Sequence, residues 1–261
     1  MFLRISTAII GLPLLFLLLY LGGDWLAFSI TLVAIIGMYE FFSVTKNNSE
    51  MCIVSYVSAI SYIALNISFT LVLALLIIVV CCMHITDSSR GSVLDLGVAV
   101  LGFVYLGFML GFVSMVRNLD EGVYLVWLIF ISAWGTDTFA YFTGKLFGKR
   151  KLCPTLSPSK TVEGAIGGVI GAAILGGLYA FVLSTTLPQA PLTSHNPLIY
   201  ASLSAVAAVA SIFGDLTASA IKRSFGTKDF GKIFPGHGGV LDRFDSVLFT
   251  APIIYITVAL F

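Results

Sequence analysis

Apolar runs close to 20 residues long recur along this chain and govern what it can become. A helix needs about 20 apolar residues to cross the hydrocarbon core of a bilayer. Backbone in lipid must satisfy its own hydrogen bonds, so such runs are read as helices. The composition agrees: 58% of the residues are hydrophobic, 10% are charged, and the mean hydropathy is +1.03. The expected fold class is all-α, a polytopic integral membrane helix bundle of about nine transmembrane helices. One bundle uses the whole length, so residues 1–261 are read as a single membrane domain. Within it, N-terminal helices occupy 1–116, and the half from 122 to 261 carries the polar chemistry. A net charge of +1 gives no footprint for nucleic acid, and none is expected as a partner. Cys52, Cys81, Cys82 and Cys153 form no ligand spacing and read as small reduced core residues.

Spans are expected near 5–21, 25–43, 51–66, 68–84, 94–116, 122–143, 162–184, 198–220 and 246–261. The first, with Arg4 ahead of an apolar run, resembles a signal peptide. It lacks a small-residue cleavage site and leads directly into the next apolar run, so it reads as an uncleaved span. Residues 51–84 would serve as one long tilted helix or as two short ones broken near Asn66 and Ser68. The distribution of positive charge selects two, because Lys and Arg favour the cytoplasmic side of short loops. With nine spans, all of the 14 Lys and Arg residues except Arg117 fall on one side. That puts the N-terminus inside and the chain in the cytoplasmic (inner) membrane. The loop 185–197 has no Lys or Arg and reads as a solvated outer turn, with His195 at the surface. Gly107/Gly111, Gly164/Gly168 and Gly167/Gly171 are GxxxG pairs, which permit close helix approach, either within the bundle or between subunits.

Charge, avoided elsewhere, gathers between Ser211 and Ser246. Asp137 lies about six residues, or roughly 9 Å at 1.5 Å per residue, before the inner end of the sixth span. Asp215 lies about as deep in the eighth, and Asp242 and Asp245 precede the ninth. Three elements thus bring carboxylates to one leaflet, where each costs on the order of 3 kcal/mol without a partner. Asp215, Ser219 and Lys222 share one helix face. Salt bridges within the bundle account for any one pair but not for the whole cluster. Paired hard oxygen ligands beside cations suit Mg²⁺ and a polyphosphate, with Lys222, Arg223, Lys228 and Arg243 to neutralise phosphate oxygens. The turn 235–239, PGHGG, offers backbone N–H groups ahead of a helix as an anion cradle. His237 in that turn reads as a cap, a phosphate donor or a turn residue, the first two favoured together.

Gly226 to Lys232 copies the glycine and lysine spacing of a P-loop. Ile233 replaces the Mg²⁺-binding hydroxyl and no strand precedes, so it is not one. The inner loop 144–161 holds five basic residues. Lys149, Arg150 and Lys151 suit a topogenic loop near anionic lipid. Ser157, Ser159, Lys160 and Thr161 sit at the expected start of the seventh span, with Glu163 in its first turn, where a phosphate is a natural guest.

These strings carry a resemblance. SAIKRSFGTKDFGKIFPGHGGVLDRFD at 219–245 resembles the long signature of the phosphatidate cytidylyltransferases, the CDP-diacylglycerol synthases. WGTDTFAYFTGK at 134–145 and SPSKTVEGAIGG at 157–168 are similar to the same family. The likeness covers the C-terminal half; the first hundred residues match only as apolar helices. The resemblance implies transfer of CMP from CTP to phosphatidic acid, giving CDP-diacylglycerol and pyrophosphate. It implies Mg²⁺ at Asp215 and Asp242 and admits K⁺ as a second cation. The implied catalytic set is Asp215, Lys222, Asp242 and Asp245. Arg223, Lys228, Asp229, His237 and Arg243, with Asp137, Ser159 and Lys160, are the implied substrate contacts. CTP, phosphatidic acid and membrane lipid are the implied partners, and the family together with the glycine-rich span suggests a homodimer. Two alternatives stand beside this: a CTP-dependent polyprenol or lipid-alcohol kinase, whose acceptor needs a base, and an ion-coupled transporter, which the nearly charge-free outer half of the spans disfavours.

Overall fold

The computed structural model describes residues 2–47, 50–86, 92–186, 196–233 and 238–260. Among them the chain is almost entirely helical. The helices are α1 (Phe2–Leu21), α2 (Gly23–Thr45), α3 (Met51–Ile63), α4 (Phe69–Thr86), α5 (Val93–Arg117), α6 (Gly122–Phe147), α7 (Val162–Thr186), α8 (Pro197–Ser224) and α9 (Leu241–Leu260). Seven of these are long and apolar enough to cross a membrane, and α3 and the Gly11–Leu21 part of α1 are shorter apolar helices. The chain is an all-α polytopic membrane protein. The only strands among the described residues are β1 (Lys151–Cys153) and β2 (Ser157–Thr161), an antiparallel pair that registers Lys151 with Thr161 and Cys153 with Ser157. The chain folds as two compact units. One comprises residues up to Asn118 with Ser224–Phe244; the other comprises Leu119–Arg223 with Asp245–Phe261.

In the first unit the apolar stretch 51–84 forms two helices. The break spans Ala64–Ser68, and Asn66 takes a left-handed φ of 52°, a conformation asparagine tolerates better than most residues. Within α5, Phe103–Phe108 is a π-helical turn. Residues five apart diverge on an α-helix, which turns roughly 100° per residue; the wider i→i+5 turn brings them onto one face. Phe103 and Phe108 accordingly both stack on Phe69, with ring centroids 6.2 and 3.8 Å away. Gly107 and Gly111 of α5 face α3: a Cβ on Gly107 would meet that of Ala59 at 3.1 Å, and one on Gly111 would meet the Tyr62 ring at 2.4 Å. Arg117 at the end of α5 donates from Nε to the Leu19 carbonyl (2.8 Å) and from Nη2 to that of Tyr20 (3.0 Å). It thereby supplies positive charge to the carbonyl end of α1.

In the second unit α6 and α7 pack closely along the glycine face of α7. A Cβ on Gly168 would stand 2.8 Å from the Thr136 carbonyl oxygen, one on Gly164 the same distance from that of Ala140, and one on Gly171 2.1 Å from the Phe139 ring. The GxxxG pairs therefore serve contacts inside the chain. The inner loop departs from the sequence expectation. Residues 157–161 form a strand that the sequence reading did not give, while α7 begins after them at Val162, where the seventh span was expected to start. Glu163 explains the hairpin: its carboxylate accepts the amides of Lys149 (2.9 Å) and Arg150 (3.1 Å) and pins the hairpin base. Thr161 Oγ1 accepts the Gly164 amide (3.1 Å). The start of α7 is thus capped by the protein's own oxygen atoms.

Two substitutions test this packing. Gly168→Leu should force α6 from α7 and lower the thermal unfolding midpoint in detergent, at a cost of about 2 kcal/mol. Asn66→Gly should leave that midpoint unchanged, whereas Asn66→Val should lower it, by about 1–2 kcal/mol.

Candidate active site

The second unit contains a cavity of about 360 Å³. Helix α6 contributes Asp137, Tyr141 and Lys145, at intervals of four residues along one face; β2 contributes Ser159 and Lys160, and α8 contributes Asp215. Asp137 stands ten residues before the end of α6 at Phe147, about 15 Å along the axis. The helix runs past the expected end near 143 and finishes with Lys145 in its last turn; α8 likewise continues to Ser224 with Lys222 and Arg223 in its last turn. Positive charge at the carbonyl end of a helix favours such an extension.

Asp215 is the centre of this arrangement. Its Oδ2 forms a salt bridge with Lys160 Nζ, and its Oδ1 accepts a weak hydrogen bond from Ser219 Oγ at 3.4 Å, one turn along α8. Its neighbour Gly214 lets α9 come close: a Cβ there would lie 2.6 Å from the Asp245 carbonyl oxygen and 3.2 Å from Phe249. Asp245, 9% exposed, and Lys222, 8% exposed, are both buried. Asp245 lies within electrostatic reach of Asp215, Lys222 and Asp137, and its Oδ1 accepts the Ser246 amide (2.8 Å). Three carboxylates from α6, α8 and α9, with two lysines, thus meet in one unit. Arg223 lies in the last turn of α8 and is exposed.

Lys228, Asp229, Asp242 and Arg243 belong to the first unit. Lys228, Asp229 and Arg243 are exposed. Asp242 Oδ2 accepts two amides, those of Phe230 and Gly239, each at 2.9 Å. Helix α9 begins at Leu241 rather than near 246, so both Asp242 and Asp245 lie within it. The early start has a cause: the Val240 and Leu241 amides donate to Glu40 of α2, at 3.0 and 2.8 Å, which caps N–H groups that would otherwise lack acceptors. The anion cradle expected around PGHGG is changed accordingly. The amides of Gly239, Val240 and Leu241 are held by side-chain carboxylates of the protein. His237 lies outside the described residues.

Sequence reasoning missed two residues. Lys145 shares a helix face with Asp137 and Tyr141, a spacing that was there to be read. Glu40 is an acid inside an apolar span, itself a functional signal, but nothing near it in sequence points to residues 240 and 241. Among the described residues no three His, Cys, Asp or Glu side chains group closely enough to form a metal cage.

Comparison with known proteins places these features in a family. Residues 2–261 match the cytidylyltransferase family. A phosphatidate cytidylyltransferase of Bacillus subtilis is 40% identical over 171 residues, covering 64% of this chain and 60% of that protein. One of Staphylococcus haemolyticus is 32% identical over 267 aligned positions, covering 97% of both chains. One of Synechocystis is 30% identical over 303 aligned positions, covering 98% of this chain and 96% of the relative. The match runs the length of the chain and takes in both the cavity and the signature that ends at Asp245: the chain belongs to the cytidylyltransferase family.

Proposed function

We infer that this protein transfers CMP from CTP to phosphatidic acid, giving CDP-diacylglycerol and pyrophosphate. The observation that carries the reading is the signature at 219–245 in a chain that aligns over nearly its full length with a phosphatidate cytidylyltransferase. An oxygen of the phosphatidate phosphate forms a bond to the α-phosphorus of CTP. The bond from that phosphorus to the bridging oxygen breaks, and pyrophosphate departs with the electron pair. The nucleophile is already anionic, so no side chain need take a proton from it. What the protein must supply is alignment and compensation of charge between two anionic substrates.

The residues suit those tasks. Lys160 and Lys145, on the cavity wall, are placed to meet phosphate oxygens. Lys222, beside Asp245, balances the buried acids. Arg223, Lys228 and Arg243 present exposed cations, and Asp229 an exposed acid, for the nucleotide. Ser159 lines the cavity with a hydroxyl, and His237 completes the substrate-contacting set implied by the signature.

Mg²⁺ fits the donor chemistry. It binds hard oxygen, takes one or two carboxylates, and completes its shell with waters and substrate phosphates, so it needs no three-residue cage. Asp215 and Asp242 are the proposed ligands, with Asp245 beside Asp215 in the electrostatic cluster and K⁺ as a candidate second cation. The ion would supply charge neutralisation at the phosphates. The cation paired with Asp215 in the structure is Lys160.

We further propose a single catalytic membrane domain in the inner membrane, with the site on the cytoplasmic side, since one side gathers nearly all the Lys and Arg. A homodimer remains the proposal that follows from the family. The GxxxG glycines of α7 do not support it, because they face α6.

Asp215→Asn keeps the shape of the side chain and removes its charge, as does Asp242→Asn. Each should lower CMP incorporation into lipid by about a hundredfold or more, with unfolding midpoints near that of the wild type, and chelation of Mg²⁺ should do the same to the unaltered protein. Wild-type turnover in both variants would refute the roles assigned.

A further inference from the structure

Glu40 is the buried acid to which the reaction scheme gives no part. It sits near the end of α2, only 2% exposed, in a helix whose other acid is Asp24 in the first turn. Each oxygen of its carboxylate has one backbone donor: Oε1 accepts the Val240 amide (3.0 Å) and Oε2 the Leu241 amide (2.8 Å). The next residue along the chain is Asp242.

Two glycines of the signature make room for this carboxylate. A Cβ on Gly231 would lie 2.1 Å from Glu40 Oε1, and one on Gly239 would lie 2.3 Å from Oε2. Neither position can carry a side chain while Glu40 keeps its place. These same segments hold Asp242: Gly239 and Phe230, the residue before Gly231, both donate to Asp242 Oδ2. The backbone at 230–231 and 239–241 is therefore fixed between two carboxylates, one from α2 and one from α9. Glu40 locks the start of α9 from outside, and Asp242 closes the loop from inside.

We propose that Glu40 is a positioning residue for the transfer reaction. It clamps the first amides of α9 and the signature glycines, so that Asp242 is presented in one orientation. This rests on the reading of Asp242 as a metal-holding group. It extends that reading to the N-terminal helix α2, and it gives Gly231 and Gly239 a physical reason to be glycine.

Glu40→Gln is the informative variant. The amide keeps one acceptor but turns an N–H group toward a backbone donor, so one of the two bonds is lost. Two readouts apply to the full-length protein in detergent. Without ligand, hydrogen exchange at the Val240 and Leu241 amides should accelerate by about tenfold or more, while exchange in α6 and α7 and the unfolding midpoint stay near wild type. With CTP, phosphatidic acid and Mg²⁺, kcat should fall by about tenfold or more, with KM for phosphatidic acid within about twofold. Glu40→Asp, which retracts the carboxylate by one methylene, serves if the glutamine variant does not fold, and should move both readouts in the same direction. Wild-type exchange, or faster exchange with wild-type kcat, would overturn the proposal. Asp242→Asn is run alongside: if it is inactive while Glu40→Gln turns over normally, the clamp alone is wrong. If Asp242→Asn is itself fully active, the reading of Asp242 falls and the proposal falls with it.

Discussion

A carboxylate in an apolar bundle must be answered, and the polar architecture of this protein is a set of answers. On insertion scales an uncompensated acid in the hydrocarbon costs on the order of 3 kcal/mol. Asp215 is answered by the Lys160 ammonium brought in on a hairpin. Asp245 is answered by its proximity to Lys222 and by the Ser246 amide. Asp242 and Glu40 are answered by pairs of backbone amides. The devices differ in what they leave for chemistry. An ion pair with a flexible lysine is exchangeable, since a metal ion or a phosphate is able to take over either partner. A carboxylate that receives two backbone amides is held in place. The exchangeable pair lines the cavity, and the fixed acids organise the loop that leads into α9.

Close approach of backbones is the second constraint, and glycine serves it in two distinct ways. In α7 the glycines bring Thr136 and Ala140 carbonyl oxygens against a helix with no side chain in the way, which sets the wall holding Asp137 and Lys145. In the signature the glycines at 231 and 239 yield space to a carboxylate from elsewhere in the chain. The first use is a helix-packing pattern with a recognisable spacing. The second has no local pattern, because the group that needs the space is some 200 residues away.

That contrast explains what was legible in the sequence. The spans were readable because run length and hydropathy report directly on the bilayer, and the break between α3 and α4 was readable through Asn66 and charge balance. Helix ends were less so: α6 and α8 continue through residues whose positive charge suits a final turn, and α9 starts early because Glu40 caps it. The segment 157–161 carried no strand signal of its own, since a hairpin of polar and basic residues is stabilised here by Glu163 rather than by an apolar face. The signature was unmistakable as a string, yet the string did not say that the amides after PGHGG are already engaged. Lys145 was visible at helical spacing from Asp137. Glu40 was missed: its one signal was that of an acid in an apolar span, with its partners hidden by distance along the chain.

The account holds that the nucleotide, and not a single phosphate, ends on the lipid. The direct measurement supplies purified protein with phosphatidic acid and Mg²⁺ and with CTP labelled in separate reactions at the α- and γ-phosphorus. The account predicts α label in the lipid extract and γ label released as pyrophosphate. Label from the γ-phosphorus in the lipid, with none from the α, would contradict it and mark the protein as a kinase.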